Sequence, residues 1–114
     1  MEAFILYTTW PDADTARTCA AAAVEAGLCA CANILGPITS VYRWEGVLEA
    51  TPEVPVLFKT TAARAEALRD LILSRHPYAL PAVVALPVGE AGSHTAYLEW
   101  IAQQTASPAR AGEA

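Results

Sequence analysis

His76, three thiols and a single lysine are the groups in this sequence with the most chemistry to offer, and their spacing limits what that chemistry can be. A neutral imidazole is a good ligand for Cu(II). His76, however, stands nearly alone, since Asp70 and Glu90 lie at no obvious ligand spacing from it. A histidine at a helix end also has an ordinary structural use, donating to the last carbonyls and complementing the dipole. That use is the favoured reading. Cys29 and Cys31 are two apart on an expected strand and so should point to one face, offering two thiolates to a soft metal such as Cu(I). No third and fourth ligand accompany them, and cysteine is often simply a small buried apolar residue, so burial is favoured. With Cys19 the count is odd, which rules out a framework of disulfides alone.

Lys59 ends an apolar strand. Together with Arg43, Glu45 and Glu49 it supplies the charge of the central segment. Cations at a strand end beside a subunit seam suit either an intersubunit ion pair, which is favoured, or an anionic small molecule. Tyr42, Trp44, Tyr97 and Trp100 are expected to cluster as core or interface packing rather than as a ligand box. No glycine-rich phosphate loop, serine elbow or metal-spaced histidine pair is present. A Cys31–His76 pair would need an exposed, low-pKa thiol, which a buried strand position opposes. The chain reads as a binding protein, not an enzyme.

Composition narrows the partners. The net charge is −5 over 114 residues and the seven Lys and Arg residues are scattered, which argues against a nucleic-acid surface. No apolar run approaches the roughly 18 residues of a membrane span. The first residues lead into a strand without a basic flank, so the expectation is a cytoplasmic protein with no signal peptide and no membrane partner.

The elements that must position these groups follow from periodicity. Ala3 to Thr9 is an apolar strand. Asp12 should cap a helix ending near Ala26, with Gly27 as its stop and Ala16, Cys19, Ala20, Ala23 and Val24 inward. Cys29 to Thr60 reads as a hairpin turning at Trp44-Glu45-Gly46, rich in β-branched and aromatic residues. Arms of about 14 residues would reach roughly 45 Å at ~3.3 Å per residue. A globule of this size is roughly 35 Å across, from a radius of gyration of about 13 to 14 Å. The overhanging tip would expose apolar side chains and free strand edges unless another chain covers them. Pro37 and Pro52, nearly opposite, should bend this ribbon without ending it, although two shorter pieces broken at the prolines remain the alternative.

Thr60 or Thr61 should cap a second helix, Ala62 to about Arg75, with Ala65, Leu68, Leu71 and Ile72 inward. Leu80 to Val88 is the last strand, and Ser93 should cap a third helix through Gln104. Residues 1–104 form the domain, and 105–114 read as a flexible tail. The order β-α-β-β-α-β-α predicts an α+β, ferredoxin-like fold: an antiparallel sheet with two helices on one face. A third helix and neighbouring subunits are left to cover the other face.

Residue for residue, the chain also resembles the CutA divalent-cation tolerance family. The likeness rests on Thr9-Trp10-Pro11-Asp12, Ala30-Cys31-Ala32-Asn33-Ile34, Ser40-Val41-Tyr42-Arg43-Trp44-Glu45-Gly46, Lys59-Thr60-Thr61, His76-Pro77-Tyr78, Ala85-Leu86-Pro87-Val88 and Ala96-Tyr97-Leu98-Glu99-Trp100-Ile101. These segments run in order over residues 9 to 101. The resemblance implies a homotrimer built around long hairpins, and a part in divalent-cation (copper) tolerance through weak metal binding. It makes His76 and Cys31 the metal candidates, with copper or another divalent cation bound weakly and no tightly held cofactor. Ala79 and Ala82 stand where the family usually has glutamates. The alternatives are a sensor like the PII-type proteins, by fold analogy alone, with an anion between subunits, and a structural trimer without a ligand.

Overall fold

The computed structural model describes residues 2–106. The elements are β1 (Ala3–Trp10), α1 (Ala13–Glu25), β2 (Cys31–Ile34), β3 (Ile38–Trp44), β4 (Val47–Thr61), α2 (Ala62–Arg75), β5 (Val83–Pro87) and α3 (Thr95–Gln104). All strand pairings are antiparallel. The sheet order is β2-β4-β1-β5, with β3 pairing to β4 beyond the end of β2.

Asp12 caps α1 as expected, its Oδ1 accepting from the Thr15 backbone N–H at 2.8 Å. That bond holds the Asp12 carboxyl below its usual range. The helix closes at Gly27, whose φ of 72° is the left-handed value glycine adopts without penalty. Ala16, Cys19, Ala20 and Ala23 are buried, while Val24 lies off the inner face and is exposed. These small side chains let α1 lie close on Leu6, Trp10, Val56 and Phe58, and α2 completes this core with Leu68 and Ile72. Thr61 stands at the N-cap of α2, but its hydroxyl pairs with Thr105 at 3.3 Å and makes no cap bond.

The hairpin combines both expected alternatives. Its second arm, β4, is one unbroken strand of 15 residues. The first arm is interrupted between Ile34 and Ile38. Ile34 faces Val56 and Ile38 faces Glu53, so three residues on one side span the gap that two span on the other. The extra residue is a bulge that shifts the register by one. Pro52 faces Thr39, two residues from Pro37, so the two prolines lie nearly opposite as expected, and Pro55 faces Thr9. At the tip, Glu45 and Gly46 have φ of 49° and 82°. Two successive positive values match the twist of a two-residue hairpin turn.

Three boundaries differ from expectation. β5 spans only Val83–Pro87 because the segment before it forms a loop. His94, not Ser93, stands at the N-cap of α3, and the Ser93 hydroxyl donates instead to the Gly89 carbonyl. Thr105 is buried, and its carbonyl accepts from Arg64 Nε at 2.9 Å, so the fold reaches past Gln104. The rest of the expected tail, 107–114, lies outside the described residues. Among the described residues, no helix is long and apolar enough to cross a membrane.

Leu68 is fully buried where α2 meets the sheet. Leu68→Ala is expected to destabilise the fold by about 2–5 kcal/mol, from lost burial plus the cavity left behind. Urea unfolding of the two proteins under identical conditions measures it.

Candidate functional site

Along β1, even-numbered residues face the helical core and odd-numbered ones face the opposite side, on which, among the described residues, α3 is the one helix. The register carries this alternation across the sheet. Ile5, Lys59 and Cys31 therefore share one row of the open face, and Tyr7 and Leu57 share the next. The chemistry-bearing side chains gather in three places on or beside that face.

The first is the Cys31 row. Tyr97 of α3 reaches down so that its hydroxyl lies 3.2 Å from Lys59 Nζ and 3.6 Å from Cys31 Sγ. The hydrogen bond from Lys59 to Tyr97 holds the ammonium above its usual pKa, with the nearby Cys31 adding in the same direction. Cys31 is half-buried and faces α3. Cys29 does not share its face: it is 1% exposed and packs in the helical core. The strand begins only at Cys31, so the alternation expected to align the two thiols does not extend back to Cys29. Burial pushes the Cys29 thiol up to about 12, with the Cys31 charge a smaller contribution.

The second is a niche around His76. The residue is 9% exposed and stacks on the Trp10 ring at 4.2 Å. Its Nδ1 accepts from the Tyr78 backbone N–H at 3.1 Å, which leaves Nε2 to carry the proton and donate to the Thr9 carbonyl at 2.7 Å. Both nitrogens are thus engaged by backbone. The structural role expected of His76 is present, but its acceptor is the end of β1 rather than the last carbonyls of α2. His76 and Cys31 do not form a pair in this arrangement: one lies against Thr9 and Tyr78, the other against Lys59 and Tyr97.

The third is a cleft of about 600 Å³ where the hairpin leans over the end of β1. Tyr7, Tyr42, Trp44 and Tyr78 line it, with Ala79 and Ala82 on the loop wall and Glu53 on β4. The His76 niche fixes the backbone of Tyr78, and the Tyr78 hydroxyl donates to Glu53 Oε2 at 2.9 Å. Desolvation, then the Glu53 hydrogen bond and charge, push the Tyr78 phenol up to about 12. Glu53 escaped the sequence reading because its partners lie in segments brought together only by the fold. The one available signal was a carboxylate between apolar residues of a strand.

Other expected groupings are divided. Tyr97 and Trp100 stack on α3 at 5.6 Å, whereas Tyr42 and Trp44 stand on the hairpin, so the four aromatics form two pairs instead of one cluster. Arg43 lies opposite Leu48 and donates to the Gly46 carbonyl at 3.2 Å, bracing the turn beside Glu45. From Leu48 to Lys59 along β4 is roughly 36 Å, so Arg43 and Lys59 do not converge on one anion within a chain. Among the described residues, no three His, Cys, Asp or Glu side chains gather as a metal cluster.

Residues 4–104 match the family model of CutA1, described as a divalent ion tolerance protein. The chain belongs to the CutA1 family. It is 40% identical over 105 residues to a divalent-cation tolerance protein CutA of Thermus thermophilus, covering 92% of this chain and 99% of that protein. A CutA of Salmonella newport is 42% identical over 100 residues, 88% of this chain and 85% of that one. The crystal structure of a CutA1 described as a stable protein, from the psychrotrophic Shewanella sp. SIB1, superposes with a TM-score of 0.87 at 36% identity. It covers 93% of this chain and 97% of that one. The antiparallel sheet and three helices are therefore the CutA1 architecture, and divalent-cation tolerance is the role associated with the family.

The raised Tyr78 phenol, desolvated by burial and bonded to Glu53, has a pH signature. The folded state holds the phenolic proton to about pH 12, while an unfolded tyrosine releases it near 10. Between those values the folded state binds more protons, so this contribution is full below pH 10 and is lost as pH rises toward 12. Tyr78→Phe is expected to flatten the alkaline fall in the urea midpoint between pH 9.5 and 11.5. Absorbance of the phenolates checks the assignment by losing its latest-titrating step.

Proposed function

We propose that this CutA1 protein works as a cytoplasmic homotrimer of ferredoxin-like subunits, contributing to divalent-cation tolerance by weak binding of copper or a similar cation. The role is binding, not catalysis. The observation that carries the reading is the surface of the hairpin. Val41 is 66% exposed and Leu48 69%, and Val47 and Trp44 stand beside them. From Val47 to Glu53, β4 pairs only with β3 among the described residues, which leaves one edge of the strand without a partner strand there. An apolar, half-unpaired ribbon of this kind favours association with copies of itself. The open sheet face carries further exposed apolar residues, Val84 and Leu86.

Association also supports the metal reading. One subunit gathers no cluster of three ligands among the described residues, so a site with three or more protein ligands would draw on neighbouring subunits. Cys31 is the better placed of the two candidates. Its thiol is half-buried on the open face, whereas binding through His76 would cost a backbone hydrogen bond.

Two measurements test this reading. Light scattering should give about 36 kDa for three copies of the 12.0 kDa chain. Leu48→Glu should shift that mass downward without loss of circular dichroism from the helices. A monomeric wild-type protein would refute the assembly. In calorimetric copper titrations, Cys31→Ser is expected to weaken binding at least tenfold. His76→Ala should instead lower stability more than copper affinity. Unchanged copper binding in both variants would remove these residues from the proposal.

A further inference from the structure

Glu53, in the cleft beneath the hairpin, is 9% exposed, and among the described residues it has no salt bridge. Its one hydrogen-bond donor there is the Tyr78 hydroxyl, on Oε2. A carboxylate this desolvated is costly to bury without a cation. The cleft wall is continuous with the apolar ribbon that favours association, so the counter-charge belongs on a neighbouring copy. Most cations of the chain are engaged elsewhere. Arg17 and Arg69 pair with Asp14 and Asp70, Arg64 clasps the Thr105 and Ala106 carbonyls, and Lys59 is bound to Tyr97. Arg75 ends α2, on the helical side of the sheet. Alone among the described cations, Arg43 lies on the ribbon. It is exposed, and its one hydrogen bond there, to the Gly46 carbonyl, leaves most of the guanidinium donors unused.

Directly opposed residues of β3 and β4 share a face of the ribbon. Tyr42 and Trp44 therefore lie on the face of Glu53, and Arg43 lies on the other, with the exposed Val41 and Leu48. Leu48, opposite Arg43, is roughly 17 Å from Glu53 along β4 at ~3.3 Å per residue. Face and distance both keep Arg43 from its own Glu53. A cation on one patch and a buried carboxylate on another suit a head-to-tail contact, in which each copy gives one group and receives the other. We propose that Arg43 of one copy enters the cleft of the next and pairs with Glu53 there, three identical pairs closing the ring. The cleft, about 600 Å³, has room for the side chain. Tyr42, Trp44 and Tyr78 on its walls offer aromatic faces on which a planar guanidinium stacks. Tyr78 occupies Oε2 of the carboxylate and leaves Oε1 to accept from the arginine. The inference rests on the assembly reading and names a contact within it.

The test is a double-mutant cycle read on assembly. Wild type, Arg43→Gln, Glu53→Gln and the double variant are compared by light scattering through dilution and, where the assembly survives dilution, through urea. Glu53→Gln keeps the side-chain shape and can still accept from Tyr78. Each single change is expected to weaken association at least tenfold, and the double variant to be no weaker than the single ones. That coupling is the deciding readout. Loss of the turn brace at Gly46, or of packing around Tyr78, would instead make the two effects multiply. Arg43→Glu, at an exposed position, should dissociate the assembly further than Arg43→Gln, and Glu53→Gln should relieve the excess. Multiplying effects, or unchanged association in either single variant, would overturn the pairing and leave the assembly reading in place. A monomeric wild-type protein would remove both.

Discussion

Among the described residues, β4 has a strand on each side only over the four residues Val56 to Lys59, and over the seven from Val47 to Glu53 it has a strand on only one. From Val56 to Lys59 it runs between β1 and β2, and its side chains Val56 and Phe58 reach the helical core. From Val47 to Glu53 it has β3 alone. One chain segment is thus both the centre of a sheet and an edge strand, and much else in the molecule accommodates that. Prolines occur in β4 at Pro52 and Pro55. Proline is tolerated where a ladder does not demand an N–H, and both positions flank the level at which β2 gives way to β3. The bulge at that level lets the ribbon leave the sheet without breaking β4. The Pro55 carbonyl still takes the Leu35 N–H at 2.9 Å.

Much of this was legible because the signals were local. A small-residue helix face, a 3-4-7 stripe and a glycine stop depend on neighbours a few positions away. They located α1 and α2 to within a residue or two. The hairpin was legible from composition, and a break at Pro37 was one of the two readings offered, but the accompanying shift of register was not legible. The one-residue shift is set by how β2 and β3 each register against β4, which composition does not specify. The fate of Val24 shows the same limit. The periodicity admits it to the inner face, but Val24 is the penultimate residue of α1 and stands exposed at the helix end.

The chemistry was less legible than the fold, and the thiols show why. Reading Cys29 and Cys31 as one pair assumed a strand beginning before Cys29. Because it begins at Cys31, two residues of separation take the side chains to opposite sides of the sheet: one to the core, the other to Tyr97 and Lys59. His76 illustrates the converse. Its isolation in sequence suggested a cap on α2, but its partners, the Thr9 carbonyl and the Trp10 ring, come from the far end of β1. No spacing rule links positions 67 residues apart.

These observations link the structural and chemical halves of the molecule. Were His76 merely a helix cap, Tyr78 would be free to leave the sheet. With Nδ1 occupied by the Tyr78 N–H and Nε2 bound to β1, the loop after α2 is fastened to the strand end. The phenol is thereby delivered to Glu53, on the part of β4 where the ribbon departs. The niche, the loop and the departing hairpin therefore enclose one space. A change at the buried imidazole would be felt at the carboxylate through Tyr78, without either residue touching the other. That coupling follows from two short hydrogen bonds on either end of a single tyrosine.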